Sequence, residues 1–252
     1  TRREKMAQEL LKQPLSEKKQ SSYVAPLAAK TNAQKAALRL LEEGRKLVIL
    51  TGSAGTGKSL LAVYRAACLL ARGEVKKVYL ARPAVVTGKT IGLLPGEADE
   101  KLLPYFRQTI AHFERLLGKS ATEYHLRVKN IEMVPTEYLR GMSFEDCFVL
   151  VEEAQNFDHS DMEMVLTRLG DNTQMVFTGD TKQNDLKTTS GLKTTVEMIY
   201  RIIEDEPDYL SDDDLDCIEA QVGIVHFMPE DVVRSGLTRA FVKVYYNSGG
   251  AK

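Results

Sequence analysis

Two stretches of the chain carry residue types that could do chemistry together. The first is GSAGTGKS, residues 52–59, which satisfies the spacing G-x-x-x-x-G-K-[ST] at every required position. Glycines in such a run let the backbone curl so that several N–H groups point inward at phosphate oxygens. A helix beginning within the run adds the positive end of its dipole. Gly52, Ser53, Ala54, Gly55, Thr56, Gly57, Lys58, Ser59 and Leu60 are therefore the candidate nucleotide-binding residues. Lys58 would reach the β- and γ-phosphates, and Ser59 would bind Mg²⁺. The second stretch, VLVEEAQN at 149–156, is an apolar run that ends abruptly in two acids. Adjacent unpaired carboxylates at the tip of a buried strand disfavour each other's ionised forms. A cation beside them removes the conflict. Glu152 is accordingly the candidate metal-side acid, delivered by a strand neighbouring that of the phosphate loop. Glu153 is the candidate general base or water-orienting residue. An aspartate usually fills the first of these places. Glu152 is one methylene longer, a reach of roughly 1.5 Å per C–C bond.

A third stretch, FTGDTKQNDL at 177–186, reads as a strand ending at a glycine, followed by Asp180 and Gln183. In open α/β sheets ligands bind at the strand tips on the side that carries such loops. Asp180 therefore joins the nucleotide-binding candidates. Gln183 is a catalytic candidate placed to feel the γ-phosphate.

The elements needed to bring these stretches together are legible in the hydrophobic pattern. Short apolar runs at 46–51, 76–81, 129–134, 147–152, 174–179 and 223–228 predict strands. Periodic segments at 32–43, 58–72, 97–117, 158–169, 189–204 and 229–246 predict helices. The Gly-rich segment 87–96 predicts an irregular loop. Strands apolar on both faces and alternating with helices imply an α/β fold with a mostly parallel sheet, covered on both sides. Residues 1–30 read as a basic N-terminal arm, and residues 31–252 as one domain.

Composition narrows the alternatives. The chain has 252 residues, 43% hydrophobic and 27% charged, with a formal net charge of −1. That balance gives no general affinity for polyanions. Its distribution is uneven. Residues 1–50 hold eleven Lys or Arg against five acids, which reads as a solvated arm before a nucleic-acid surface. Residues 204–219 hold nine acids and no base, which reads as an exposed loop. That stretch is not an EF-hand, because Cys217 and Gly223 stand where the loop requires its glycine and its bidentate glutamate. Cys68, Cys147 and Cys217 are isolated, and His112, His125, His159 and His226 show no metal-ligand spacing. With no signal-peptide pattern and no apolar run of membrane-spanning length, a reducing, cytoplasmic setting is expected.

The phosphate loop, EEAQN and GDTKQ, in that order, look like motifs I, II and III of superfamily 1 helicases. More closely, the chain resembles the PhoH-like family of ATPases over about residues 31–246. The resemblance rests on NAQKAAL, GSAGTGKSLLA, ARPAV, GLLPGE, VPTEYLRGMSFEDCFVLVEEAQN, MVLTRLG, TGDTKQNDL, SGL and DVVRSGLTRAFVKVY. It implies a RecA-like ATPase using ATP and Mg²⁺, coupled to single-stranded RNA or DNA, with helicase-like activity. It also implies that Gln34 reads adenine and that Arg82 meets a nucleic-acid backbone, and it assigns Arg140 and Arg168 to family positions. Two departures stand out. The family's Asp-Glu-Ala-Gln is here Glu152-Glu153-Ala154-Gln155, and its Arg-Gly-Arg-Thr is Arg140-Gly141-Met142-Ser143. Superfamily 1 helicases close ATP between two domains, whereas this sequence holds one phosphate loop. The catalytic arginine is therefore expected from Arg234, at the start of the last helix and offered head-to-tail by a neighbouring subunit in a ring of six. Two other readings of the same motifs stay open: an ATP-binding assembly module with slow turnover, and a small-molecule kinase.

Overall fold

Leu47–Gly52 (β1) shows how the sheet comes to have two covered faces. Side chains alternate along a strand. Val48 and Leu50 lie in one apolar core, while Leu47 and Ile49 lie in the other. Val149 and Val151 against Phe148 and Leu150 repeat the division on Cys147–Val151 (β4). The computed structural model describes residues 23–83, 98–182 and 189–248. Among these, the strands β1, Lys77–Arg82 (β2), Ile131–Pro135 (β3), β4, Gln174–Gly179 (β5) and Val222–Phe227 (β6) form one sheet in the order β3-β2-β4-β5-β1-β6. Every pairing in it is parallel. Asn32–Glu42 (α1), Lys58–Arg72 (α2) and Ala98–Leu117 (α3) pack on one face. His159–Leu166 (α5) and Gly191–Asp205 (α6) pack on the other. The expected α/β architecture with helices on both faces is what the chain adopts.

Parallel pairing has a direct consequence for the site. All strands run the same way, so the C-terminal tips of β1, β2, β4 and β5 share one edge, as do the loops that leave them. The metal-side acid nevertheless does not sit on the strand next to the phosphate loop. β5 pairs with both β1 and β4 and separates them. The neighbouring-strand expectation is corrected here: the strand between them brings the Gly179–Asp180 tip into the middle of the site.

Three other expectations change. Residues following Gly118 form a separate helix, Lys119–Arg127 (α4), in a segment with no strong apolar period. The acidic stretch is partly helical, Asp212–Gln221 (α7), rather than a loop throughout. Ser211 accepts from the Asp214 N–H and Asp214 accepts from the Ser211 N–H, a reciprocal cap, and three aspartates lie in the first turn beside the positive dipole end. The predicted last helix is divided: Pro229–Asp231 is a 3-10 turn, and the helix itself is Gly236–Ser248 (α8). Arg234 thus lies before the helix, in the connecting loop. Residues 1–22, most of the expected arm, and the loop at 87–96 lie outside the described residues.

Candidate nucleotide site

The phosphate loop is shaped by its own glycines and by β6. Gly52 has φ +118°, and a methyl group built on it would lie 1.9 Å from the Phe227 carbonyl oxygen. Only glycine fits there, because both the backbone conformation and the approach of β6 exclude a side chain. The Ser53 N–H then donates to Phe227 O at 3.2 Å. Thr56 Oγ1 donates to Ser53 O at 2.9 Å and closes the turn. α2 starts at Lys58 with its N-terminus in the loop, so the dipole end and free amides lie where the sequence places phosphate. Lys58 Nζ donates to Gly52 O at 2.5 Å and Ser53 O at 2.9 Å, both within its own loop. Burial pushes its ammonium down to about 8, against the opposing pull of Asp180 and Glu153.

Gln34 braces this loop. Its Nε2 donates to Thr56 O at 2.8 Å, and its Oε1 accepts from the Lys30 N–H at 2.7 Å. The side chain is buried, and in this arrangement both ends of the amide hold the chain's own backbone. Its role as reader of adenine stays an expectation of the resemblance.

Glu152 and Glu153 follow β4 with very different surroundings. Glu152 is buried, and Thr109 Oγ1 of α3 donates a short hydrogen bond to its Oε2. Glu153 adopts a left-handed backbone, φ 54° and ψ 35°, unusual for a residue with a side chain. That turn swings its half-exposed carboxylate to Arg82, whose guanidinium lies 3.5 Å away, and to Gln155, whose Nε2 donates at 2.7 Å. Gln155 Oε1 in turn accepts from the Asp180 N–H at 3.2 Å. One amide side chain thereby ties the tip of β4 to the tip of β5.

These tips open onto a cleft of about 430 Å³. Lys58, Ser59, Glu152, Glu153, Asp180 and Arg234 all line it, as do Ala54, Gly55, Gly57 and Leu60. Arg82 lines it too, and also donates to the Tyr105 carbonyl at 3.1 Å. Arg140 and Arg168 do not line it. Gln183 lies outside the described residues. Arg234 sits over its own phosphate loop: a methyl group on Gly55 would lie 3.1 Å from Arg234 Nε, and the Val233 N–H donates to Gly55 O at 3.2 Å. The arginine expected from a neighbouring subunit is therefore already beside the loop of its own chain. The reason is the broken last helix, whose loop folds back across the tip of β6.

One wall of the cleft was not foreseen. α3 contributes Gln108, Thr109, His112 and Arg115. Burial, and next the Arg115 cation, holds His112 below the usual imidazole range. The available signal was Thr109, a polar residue beside Phe106, Ile110 and Phe113 on the buried face of α3. A hydroxyl at such a position needs a partner, and the partner is Glu152.

The residues fit a divalent cation in part. Among the described residues no group of three or more His, Cys, Asp or Glu side chains could hold a metal by itself. Mg²⁺ bound through one or two protein oxygens completes its shell with phosphate and water. Ser59 and Glu152 would supply that share. Among the described residues no helix is long and apolar enough to cross a membrane.

Residues 26–246 match the family model described as PhoH-like protein. Protein PhoH of Escherichia coli K12 is 36% identical over 229 residues, 89% of this chain and 60% of that protein. The PhoH-like protein of Bacillus subtilis 168 is 42% identical over 158 residues, 62% of this chain and 50% of that protein. The chain thus spans between half and three-fifths of the length of these curated relatives. Among solved structures, the large terminase of a thermophilic bacteriophage in complex with ADP matches at TM-score 0.46 and 13% identity, covering 86% of this chain and 49% of that one. The Pif1 helicase of Candida albicans matches at TM-score 0.39 and 12% identity, covering 88% and 44%. At that level of likeness, the fold assignment rests on this chain's own parallel sheet and phosphate loop. With a family match across nearly all of the described residues, the chain belongs to the PhoH-like protein family.

Proposed function

We propose that the chain is a Mg²⁺-dependent ATP hydrolase whose turnover is coupled to single-stranded nucleic acid, RNA foremost. The observation that carries the hydrolase reading is convergence: Lys58 and Ser59 after β1, Glu152 and Glu153 after β4, and Asp180 after β5 line one cleft. The loop amides and Lys58 would hold phosphoryl charge, and Ser59 with Glu152 would hold the metal. When bound, Mg²⁺ supplies charge neutralisation at the β- and γ-phosphates. Glu153 would orient or deprotonate the attacking water once Arg82 and Gln155 yield its carboxylate. Arg234, in its own chain, would meet charge developing on the transferred group.

Helicase-like activity and a hexameric ring rest on the family resemblance alone, and coupling to nucleic acid rests on it together with Arg82, which lines the cleft. Three cysteines that are all free thiols fit a reducing, cytoplasmic setting. The test is phosphate release by the purified chain with Mg²⁺ or with chelator, with and without single-stranded RNA, alongside its solution mass. No metal-dependent release removes the hydrolase. Release unchanged by RNA, without salt-sensitive binding, removes the coupling.

A second reading, an ATP-binding assembly module with slow turnover, is favoured by one observation: Thr109 occupies an oxygen of the longer acid Glu152. A large rise in turnover on Glu152→Asp would support it.

A further inference from the structure

α8 reaches both loops of the nucleotide site. Its N-terminal approach, Val233 and Arg234, rests on Gly55 of the phosphate loop. Near its other end, the Tyr246 ring lies under the Lys182 ammonium, with Nζ 3.3 Å from the ring centroid. The Tyr246 hydroxyl also makes a weak contact with Met228 Sδ at 3.7 Å. Lys182 belongs to the loop that leaves β5. Its N–H donates to Asp180 Oδ1 at 3.0 Å. From there the contacts continue without a gap: Asp180 N–H to Gln155 Oε1, and Gln155 Nε2 to Glu153 Oε2.

We propose that Tyr246 is a positioning residue for ATP turnover: its ring pins Lys182, and through Lys182 the Asp180 carboxylate and the Gln155–Glu153 pair, at the lip of the cleft. The proposal rests on the hydrolase reading above. Lys182 is otherwise an exposed side chain on a loop. An ammonium over an aromatic face is attracted by the ring quadrupole, so the ring anchors Lys182 from outside its own loop. Tyr246 does not line the cleft. It acts by narrowing the positions that Asp180 and Glu153 occupy, which affects the chemical step more than ground-state binding.

The test uses the full chain and four variants: Tyr246→Leu, Tyr246→Phe, Lys182→Met and the double Lys182→Met/Tyr246→Leu. Tyr246→Leu should lower kcat for ATP about fivefold, the scale of an exposed cation–π contact, with KM unchanged. Tyr246→Phe, which keeps the ring, should stay near the parent. The double variant should be no slower than either single one, because both remove the same contact. Amide exchange at Lys182, followed without nucleotide, should speed up in Tyr246→Leu and not in Tyr246→Phe. Tyr246→Phe as slow as Tyr246→Leu, losses that multiply in the double variant, or unchanged exchange at Lys182 would each overturn the proposal. The exchange readout needs no turnover. A parent inactive toward ATP would refute the hydrolase reading, and exchange at Lys182 would still decide whether the ring holds the loop.

Discussion

The phosphate-loop half of the cleft is one continuous run, residues 52–60, in which backbone amides are the groups proposed to meet phosphate. The opposite half is assembled from distant side chains: Arg82 at the end of β2, Glu152 and Glu153 after β4, and Gln108, Thr109, His112 and Arg115 from α3. The first half depends on glycine geometry, most strictly at Gly52. The second depends on pairing, with Thr109 on Glu152 and Arg82 on Glu153. A backbone site announces itself by spacing. A side-chain site becomes visible only when the elements that bring it together are in place.

The largest effect should come from the arginine that joins the loop half from the far end of the chain. Arg234→Ala should lower ATP turnover by about 10³-fold, the low end of what a transition-state arginine supplies. A mixture of Lys58→Ala and Arg234→Ala chains should remain inactive if, as proposed, Arg234 serves the site of its own chain. Recovery on mixing would break the comparison by making the loop half a shared site.

Gly52→Ala should destabilise the chain by about 3 kcal/mol in urea unfolding, because the methyl group collides with the Phe227 carbonyl. A loss below about 1 kcal/mol would mean that the loop is less tightly held by β6 than its geometry indicates.

In the side-chain half, Thr109→Val keeps the shape and removes the donor to a buried carboxylate, a loss of about 1.5–3 kcal/mol. It should lower turnover about tenfold and shift the Mg²⁺ titration, with Thr109→Ser close to the parent. A stability loss with turnover intact would make α3 only a wall of the cleft.

The smallest effect is on pH. Burial pushes Lys58 down to about 8 in the folded chain, below the ordinary lysine value of 10.5. Between those values the unfolded chain binds more protons, so this group makes the nucleotide-free protein more stable as pH rises from 8 toward 10.5. A bound triphosphate favours the charged ammonium. ATP binding above pH 8 should therefore take up protons, measurable by calorimetry in buffers of different ionisation heat. No uptake would mean that Lys58 is already charged in the free site.

The same contrast sets how much was legible beforehand. Apolar runs located all six strands to within about two residues, because strands buried on both faces admit little but apolar side chains. Spacing located Lys58, Ser59, Glu152, Glu153 and Asp180, which share the cleft. Strand order was not legible: nothing in the residues says that β5 stands between β1 and β4. The break at 232–235 is hidden by a helical pattern running through it, so the sequence puts Arg234 inside a helix that begins only at Gly236. Gln34 braces Lys30 and Thr56 with its two amide ends, contacts that its position in the sequence does not reveal. Spacing gives residue type and position, but not which polar neighbour lies nearest after folding.

Glu153→Gln gives the most direct measurement of the central claim. The variant keeps the size of the side chain and one acceptor for Gln155, and removes both the base and the charge facing Arg82. It should bind ATP with the parent's affinity and hydrolyse it about 10²–10⁴-fold more slowly. Turnover within a few-fold of the parent would contradict the assignment of this cleft as the place where water meets the γ-phosphate.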